Sequence, residues 1–234
     1  MTVIFVNKKP RKWRVTLNKK TEMKALIFDL DGVLVDSAKY HYLAWKALAD
    51  KLGFEFTEKD NERLKGVSRM KSLEILLEIG GVIMSDEMKE KAATEKNELY
   101  RSYIAKMTPD EILPGVEDFL KEVKAAGYKT AIGSASKNTP LILERTGLAK
   151  YFDAVADGTM VSKAKPDPEV FLKGAELLGV EPKECVVFED AEAGVEAAHN
   201  AGMKAVGIGS VATLGKAEMV IPNFVGFRLD KLKF

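Results

Sequence analysis

The chain has 234 residues, 46% hydrophobic and 30% charged, enough to bury a sizeable core as one large domain or two smaller ones. Its 36 basic and 35 acidic side chains leave a formal charge of +1, which offers no overall field for nucleic acid or an anionic membrane. A lone cysteine, Cys185, excludes an intrachain disulfide and fits a reducing cytoplasm, and no apolar run approaches the roughly 18 residues of a membrane span.

Residues 1–23 differ in character from the remainder of the chain. Val3–Val6 and Trp13–Leu17 read as short strands around a turn with Asn7 and Pro10, among seven lysines and arginines. They predict an N-terminal leader or solvated hairpin, and the first run is too short for a signal-peptide core. Next comes Lys24 to Ser37, KALIFDLDGVLVDS. Ala25–Phe28 has the size of a buried parallel strand, and it ends abruptly in Asp-Leu-Asp-Gly. Side chains alternate along a strand, so Asp29 and Asp31 point the same way if the extended geometry persists. Like charges that close repel unless a cation lies between them or one keeps its proton.

From residue 38 to 107 the spacing turns helical. Tyr42, Trp45, Leu48 and Leu52 share one face ahead of Gly53, and Leu73, Leu76, Leu77 and Ile79 share another ahead of Gly80-Gly81. A third helix is expected from about Ser85 towards Met107, with Ala92, Leu99, Tyr103 and Ile104 inward. An all-helical block after a single strand predicts an inserted cap domain, 38–107, hinged at Asp36–Ala38 and Thr108–Pro109.

After Val116 strands and helices alternate. Strands are expected at Lys129–Ile132, Phe152–Ala156, Glu184–Phe188, Lys204–Ile208 and Met219–Ile221. Helices between them begin at Thr139-Pro140 and Asp167-Pro168 and stop at Gly127, Gly147, Gly179 and Gly202. Repeated βα units predict an α/β core, 24–37 and 108–234, built on a doubly wound parallel sheet. Gly207-Ile208-Gly209 with Ala212 looks like a dinucleotide loop, but it follows the fifth strand and no clear helix opens there.

In such sheets ligands bind beyond the carboxyl ends of the strands. Those ends carry Asp29 and Asp31, then Ser134, Ser136, Lys137 and Asn138, then Lys165-Pro166-Asp167-Pro168, then Glu189-Asp190. Taken singly each loop has a structural reading, as polar turn, helix cap or dipole partner. Carboxylates, hydroxyl, lysine and carboxylates at successive strand ends form a more specific pattern, and it points to phosphoryl transfer. Asp29 and Asp190, with Glu189 and a backbone carbonyl, suit Mg²⁺, while Ser134 and Lys165 suit phosphate oxygens. Asp29 is then the nucleophile and Asp31 the general acid and base.

The stretches DLDGVLVDS, GSASKN, KAKPDPEVF and VFEDAEAGV resemble the four motifs of the haloacid dehalogenase (HAD) superfamily, over about Lys24 to Ile221. The second aspartate, Asp31, resembles the phosphotransferase branch, since the dehalogenases lack it. HYLAWKALA, LKGVSRMKSLEILL and EKNELY, with SASKN, resemble the β-phosphoglucomutase family more narrowly. That resemblance implies interconversion of β-glucose 1-phosphate and glucose 6-phosphate through an aspartyl phosphate and glucose 1,6-bisphosphate. It implies a Mg²⁺ site of Asp29, Asp31 (through its carbonyl), Glu189 and Asp190, with Ser134 and Lys165 on the transferring phosphate. Arg69, Ser136, Lys137 and Asn138 would grip the second phosphate, and His41 and Lys96 would reach the substrate and the acid/base. Gly66, Val67, Ser68 and Ser72 would line the sugar side, with Trp45 among the substrate-side residues. The chain departs from the family at Ala191, where Ser commonly follows Glu-Asp.

The expectation is therefore a cytoplasmic, monomeric phosphomutase with a small sugar phosphate as its partner. The alternatives are a capped sugar-phosphate phosphatase, phosphonate hydrolysis through a cap lysine, and a non-catalytic binding protein on the same scaffold.

Overall fold

In the computed structural model, which describes residues 22–233, six strands form one parallel sheet. They are β1 (Ala25–Phe28), β2 (Lys129–Gly133), β3 (Ala154–Ala156), β4 (Cys185–Glu189), β5 (Lys204–Ile208) and β6 (Met219–Ile221), in the order β3-β2-β1-β4-β5-β6. The expected hairpin at Val3–Val6 and Trp13–Leu17 lies outside the described residues. β1 is central, with Ala25 in register with Lys129 on one side and Cys185 on the other.

Side-chain alternation builds two cores from one sheet. Leu26 and Phe28 point to a layer with Phe119, Ile132, Val186, Phe188 and Val206. Ala25 and Ile27 point the opposite way, to Ala131, Phe171, Ala175, Val187 and Val195. All four β1 side chains are fully buried, which is why the strand reads as an unbroken apolar run. Phe28 stacks on Phe188 with centroids 4.7 Å apart. Burying one such side chain contributes about 2–3 kcal/mol.

After β1 the chain builds a helical block from α1 (Ala38–Leu52), α2 (Glu58–Asn61), α3 (Arg69–Gly80) and α4 (Asp86–Ile104). These helices enclose a core of their own, with Trp45, Phe56, Leu73, Leu76, Leu77 and Ala93. α4 serves both cores, since its Tyr100 and Ile104 belong to the layer on the sheet. The two linkers to the block lie side by side: the Asp36 amide donates to the Glu111 carbonyl at 2.8 Å, and the Leu113 amide to the Leu34 carbonyl at 2.9 Å. α5 (Val116–Ala125), α6 (Thr139–Thr146), α7 (Glu169–Leu178), α8 (Glu192–Asn200) and α9 (Val211–Leu214) complete the α/β layers.

Several expected boundaries shift for local reasons. β3 begins at Ala154 and not Phe152, because the Phe152 amide closes a tight turn on the Ala149 carbonyl. The third helix ends at Ile104, before Met107. Thr139 opens α6 as a helical residue, and its hydroxyl donates to the Ser136 carbonyl at 2.9 Å. A four-residue helix, α9, does open after Gly209, capped by Ser210, where the sequence predicts none.

Candidate active site

β1 delivers Asp29 and β4 delivers Glu189 at the same edge of the sheet, because the two strands pair in register from Ala25 with Cys185 to Phe28 with Phe188. One carboxylate oxygen from each of Asp29, Glu189 and Asp190 lies within 4.8 Å of the others. Gly32, at φ 83°, has no Cβ to strike the Asp190 carboxylate, so the turn after β1 can lie against it. Gly194 in α8 leaves the same kind of room for Glu189, whose second oxygen accepts from the Ala191 amide at 2.9 Å. Asp31 stands outside this trio and its carboxylate turns away, accepting from the Ser37 and Tyr100 hydroxyls.

Lys165 reaches the trio from the loop after β3. Its Nζ donates to Asp29 Oδ1 at 2.6 Å and to Glu189 Oε1. Burial opposes its charge, but Asp29 and Glu189 outweigh burial and hold Lys165 above the ordinary lysine range. Burial pushes Asp29 upward against the pull of Lys165, with Glu189, Asp31 and Asp190 adding repulsion. Burial and then Glu189 raise Asp190 to about 7. Three carboxylates converging with one ammonium form an acidic, all-oxygen donor set that a small hard divalent ion would relieve. The residues present fit Mg²⁺.

The trio opens onto a cavity of about 440 Å³ between the sheet edge and the α1–α4 block. Every site residue expected from the sequence lines it except Glu189, which lies beneath the floor. On the sheet side Ser134 and Asn138 are buried, and the loop folds on its own hydroxyls: Ser134 Oγ accepts from the Ser136 amide, and Ser136 Oγ from the Asn138 amide, each at 3.2 Å. Lys137 is exposed.

Opposite, the α1–α4 block contributes His41, Trp45 and Lys96. Lys96 Nζ lies 3.0 Å from His41 Nδ1 and 4.3 Å from the centre of the Trp45 ring. Burial, then Arg69, lowers Lys96 to about 7, with Asp31 pulling the other way. Burial also depresses His41, helped by Lys96 and Arg69. Arg69 is half-buried at the start of α3, next to Gly66, Val67 and Ser68 on the wall, and Ser72 follows one turn on. Burial raises the Asp31 carboxyl, against the hydrogen bond from Ser37 and the charge of Lys165.

Sequence reasoning misses Ser37, Tyr100, Asn97 and Arg101. Tyr100 stacks on His41 with centroids 3.9 Å apart and, in sequence, passes for a core aromatic. Its signals are its place at the end of the EKNELY stretch and its position a helical turn beyond Lys96. Arg101 donates from Nη1 to Asn138 Oδ1, and Asn138 donates to Asn97 Oδ1, both at 3.0 Å. These two bonds tie α4 to the loop after β2.

Several known proteins are similar to this chain. The family model described as haloacid dehalogenase-like hydrolase matches residues 23–202. A β-phosphoglucomutase of Bacillus subtilis is 43% identical over 212 residues, covering 90% of this chain and 94% of that protein. A phosphorylated carbohydrates phosphatase of Thermotoga maritima is 36% identical, covering 79% and 84%. The crystal structure of β-phosphoglucomutase from Clostridium difficile superposes with a TM-score of 0.84 at 43% identity, covering 89% and 94%.

Proposed function

The chain belongs to the haloacid dehalogenase-like hydrolases, and within that family we propose that it is a Mg²⁺-dependent phosphomutase. Its reaction interconverts β-glucose 1-phosphate and glucose 6-phosphate through glucose 1,6-bisphosphate. Support comes from the 43% identity to a β-phosphoglucomutase over 90% of the chain. The observation that carries the reading is a cavity with the Asp29 trio at its floor and a separate cationic wall at Arg69 and Lys137. A mutase has to hold a bisphosphate in two orientations, which such a wall serves and a simple phosphatase does not require.

In this reading Asp29 attacks phosphorus, the ester P–O bond breaks, and Asp31 gives its proton to the leaving sugar oxygen. In the reverse half, Asp31 takes the proton of the other sugar hydroxyl as that oxygen takes the phosphoryl group from Asp29. Ser134 and Lys165 hold the transferring phosphoryl oxygens, and His41 and Lys96 contact the substrate and the acid/base. Asp29, the Asp31 carbonyl, Glu189 and Asp190 would hold Mg²⁺, which would supply charge neutralisation there. Residues 38–107 form the cap and 24–37 with 108–234 the core, and closure of the cap keeps water from the aspartyl phosphate.

A second reading, a capped sugar-phosphate phosphatase, is favoured by the 36% identity to the phosphorylated carbohydrates phosphatase. It shares the floor and differs in admitting water. Incubation with β-glucose 1-phosphate, Mg²⁺ and catalytic glucose 1,6-bisphosphate separates the two. The mutase accumulates glucose 6-phosphate with little inorganic phosphate and prefers the β over the α anomer. Stoichiometric phosphate release without isomerisation would establish the phosphatase instead.

A further inference from the structure

Glu90, Thr94 and Asn97 line the cavity from α4, at spacings of four and three residues. Arg101 is the next position on that stripe, four residues on, where the helix passes the loop after β2. Its guanidinium meets the Asn138 carbonyl oxygen at 3.0 Å, and the amide nitrogen of Asn138 is taken by Asn97 at 3.0 Å. Both ends of a buried amide on the core side are thus held by one helix of the cap side. Asn138 occupies one of the five guanidinium N–H donors of Arg101.

The neighbourhood is one of unbalanced positive charge. Burial and then the charge of Arg101 lower Arg69, and only Glu90 pulls the other way. Among the described residues no carboxylate forms an ion pair with either guanidinium. Lys137 is exposed beside Asn138. Two arginines that repel one another, neither ion-paired with an acid among the described residues, are a poor way to stabilise a fold and a good way to bind a dianion.

We propose that Arg101 is a further cation of the distal phosphate subsite, gripping the non-reacting phosphate of a sugar bisphosphate from α4 while Asn138 holds it in place. The proposal rests on the mutase reading. It makes the bound phosphate a bridge between cap and core, so the second phosphate itself favours the closed state.

The test compares Arg101→Ala, Arg101→Gln and Arg101→Lys by KM for glucose 1,6-bisphosphate and by the rate of Asp29 phosphorylation from acetyl phosphate, a donor with no second phosphate. Arg101→Ala and Arg101→Gln are expected to raise the bisphosphate KM about tenfold and to change the acetyl phosphate rate far less, with Arg101→Lys in between. Arg101→Gln keeps a donor for Asn138 and loses only the charge. If it behaves as wild type, or if both donors suffer equally in Arg101→Ala, Arg101 is a structural clasp and the proposal fails. Wild-type protein that shows no saturable use of the bisphosphate would overturn the mutase reading first, before any variant is made.

Discussion

Asp29 and Asp31 are two residues apart and meet opposite surroundings. Asp29 faces Lys165 and the other two carboxylates, while the Asp31 carboxylate is held by the Ser37 and Tyr100 hydroxyls. Replacing Asp31 with Asn keeps a group of the same shape that can neither give nor take the proton. Asp31→Asn is expected to lower kcat by about 10²–10⁴, read in the isomerisation assay, with Asp29 still phosphorylated by acetyl phosphate. Lys96 carries a second prediction. Its ordinary value is 10.5 and burial brings it to about 7 in the folded chain. Between those values the unfolded chain keeps the proton that the folded chain has lost, so stability from this group rises with pH across that window. The cost of burying the charge is fully present only below the folded value. Lys96→Met should therefore raise Tm by several degrees at about pH 6, and by much less at about pH 10. A pH-independent change would mean that the ammonium is not the source.

At the scale of the element, α8 is set by one small residue. A methyl group on Gly194 would overlap the Glu189 carboxylate. Gly194→Ala suits the helix by propensity and should leave Tm within a few degrees, but it should raise the apparent Mg²⁺ concentration needed for half-activity about tenfold or more. Legibility in the sequence also differs from element to element. Ala25–Phe28 and Cys185–Phe188 are uninterrupted apolar runs because both faces of the sheet are covered, and such runs announce themselves. β3 has three residues and α2 and α9 four each, too few for a period to register. On α4 the helical period places Leu99 and Tyr103 inward, and both are partly buried against the sheet layer. Its fully covered polar position is Lys96, which no amphipathic pattern predicts. Residues given a role by motif converge on one cavity, whereas Tyr100 only closes the EKNELY stretch without a role assigned to it and Arg101 lies just beyond, so what both do depends on which neighbours the fold supplies.

For the whole molecule, the sheet edge supplies the carboxylate trio with Lys165 and the helical block supplies the far wall of the cavity, with paired linkers between them. Three carboxylates around the single Lys165 ammonium keep an excess of negative charge, so a divalent ion that joins them should stabilise the fold. Mg²⁺ at about a hundredfold its Kd is expected to raise Tm by roughly 5–10 °C, and Asp190→Asn to abolish most of that rise. A Tm indifferent to Mg²⁺ would place the metal elsewhere.

The proposed chemistry passes through one covalent bond, between phosphorus and the Asp29 carboxylate, and that bond can be sought directly. Protein mixed with glucose 1,6-bisphosphate and Mg²⁺, quenched in acid and mapped by peptide mass spectrometry, should carry its phosphoryl group on Asp29. Asp29→Ala should carry none and turn over no substrate. A phosphoryl group on any other residue, or near-wild-type isomerisation by Asp29→Ala, would contradict it.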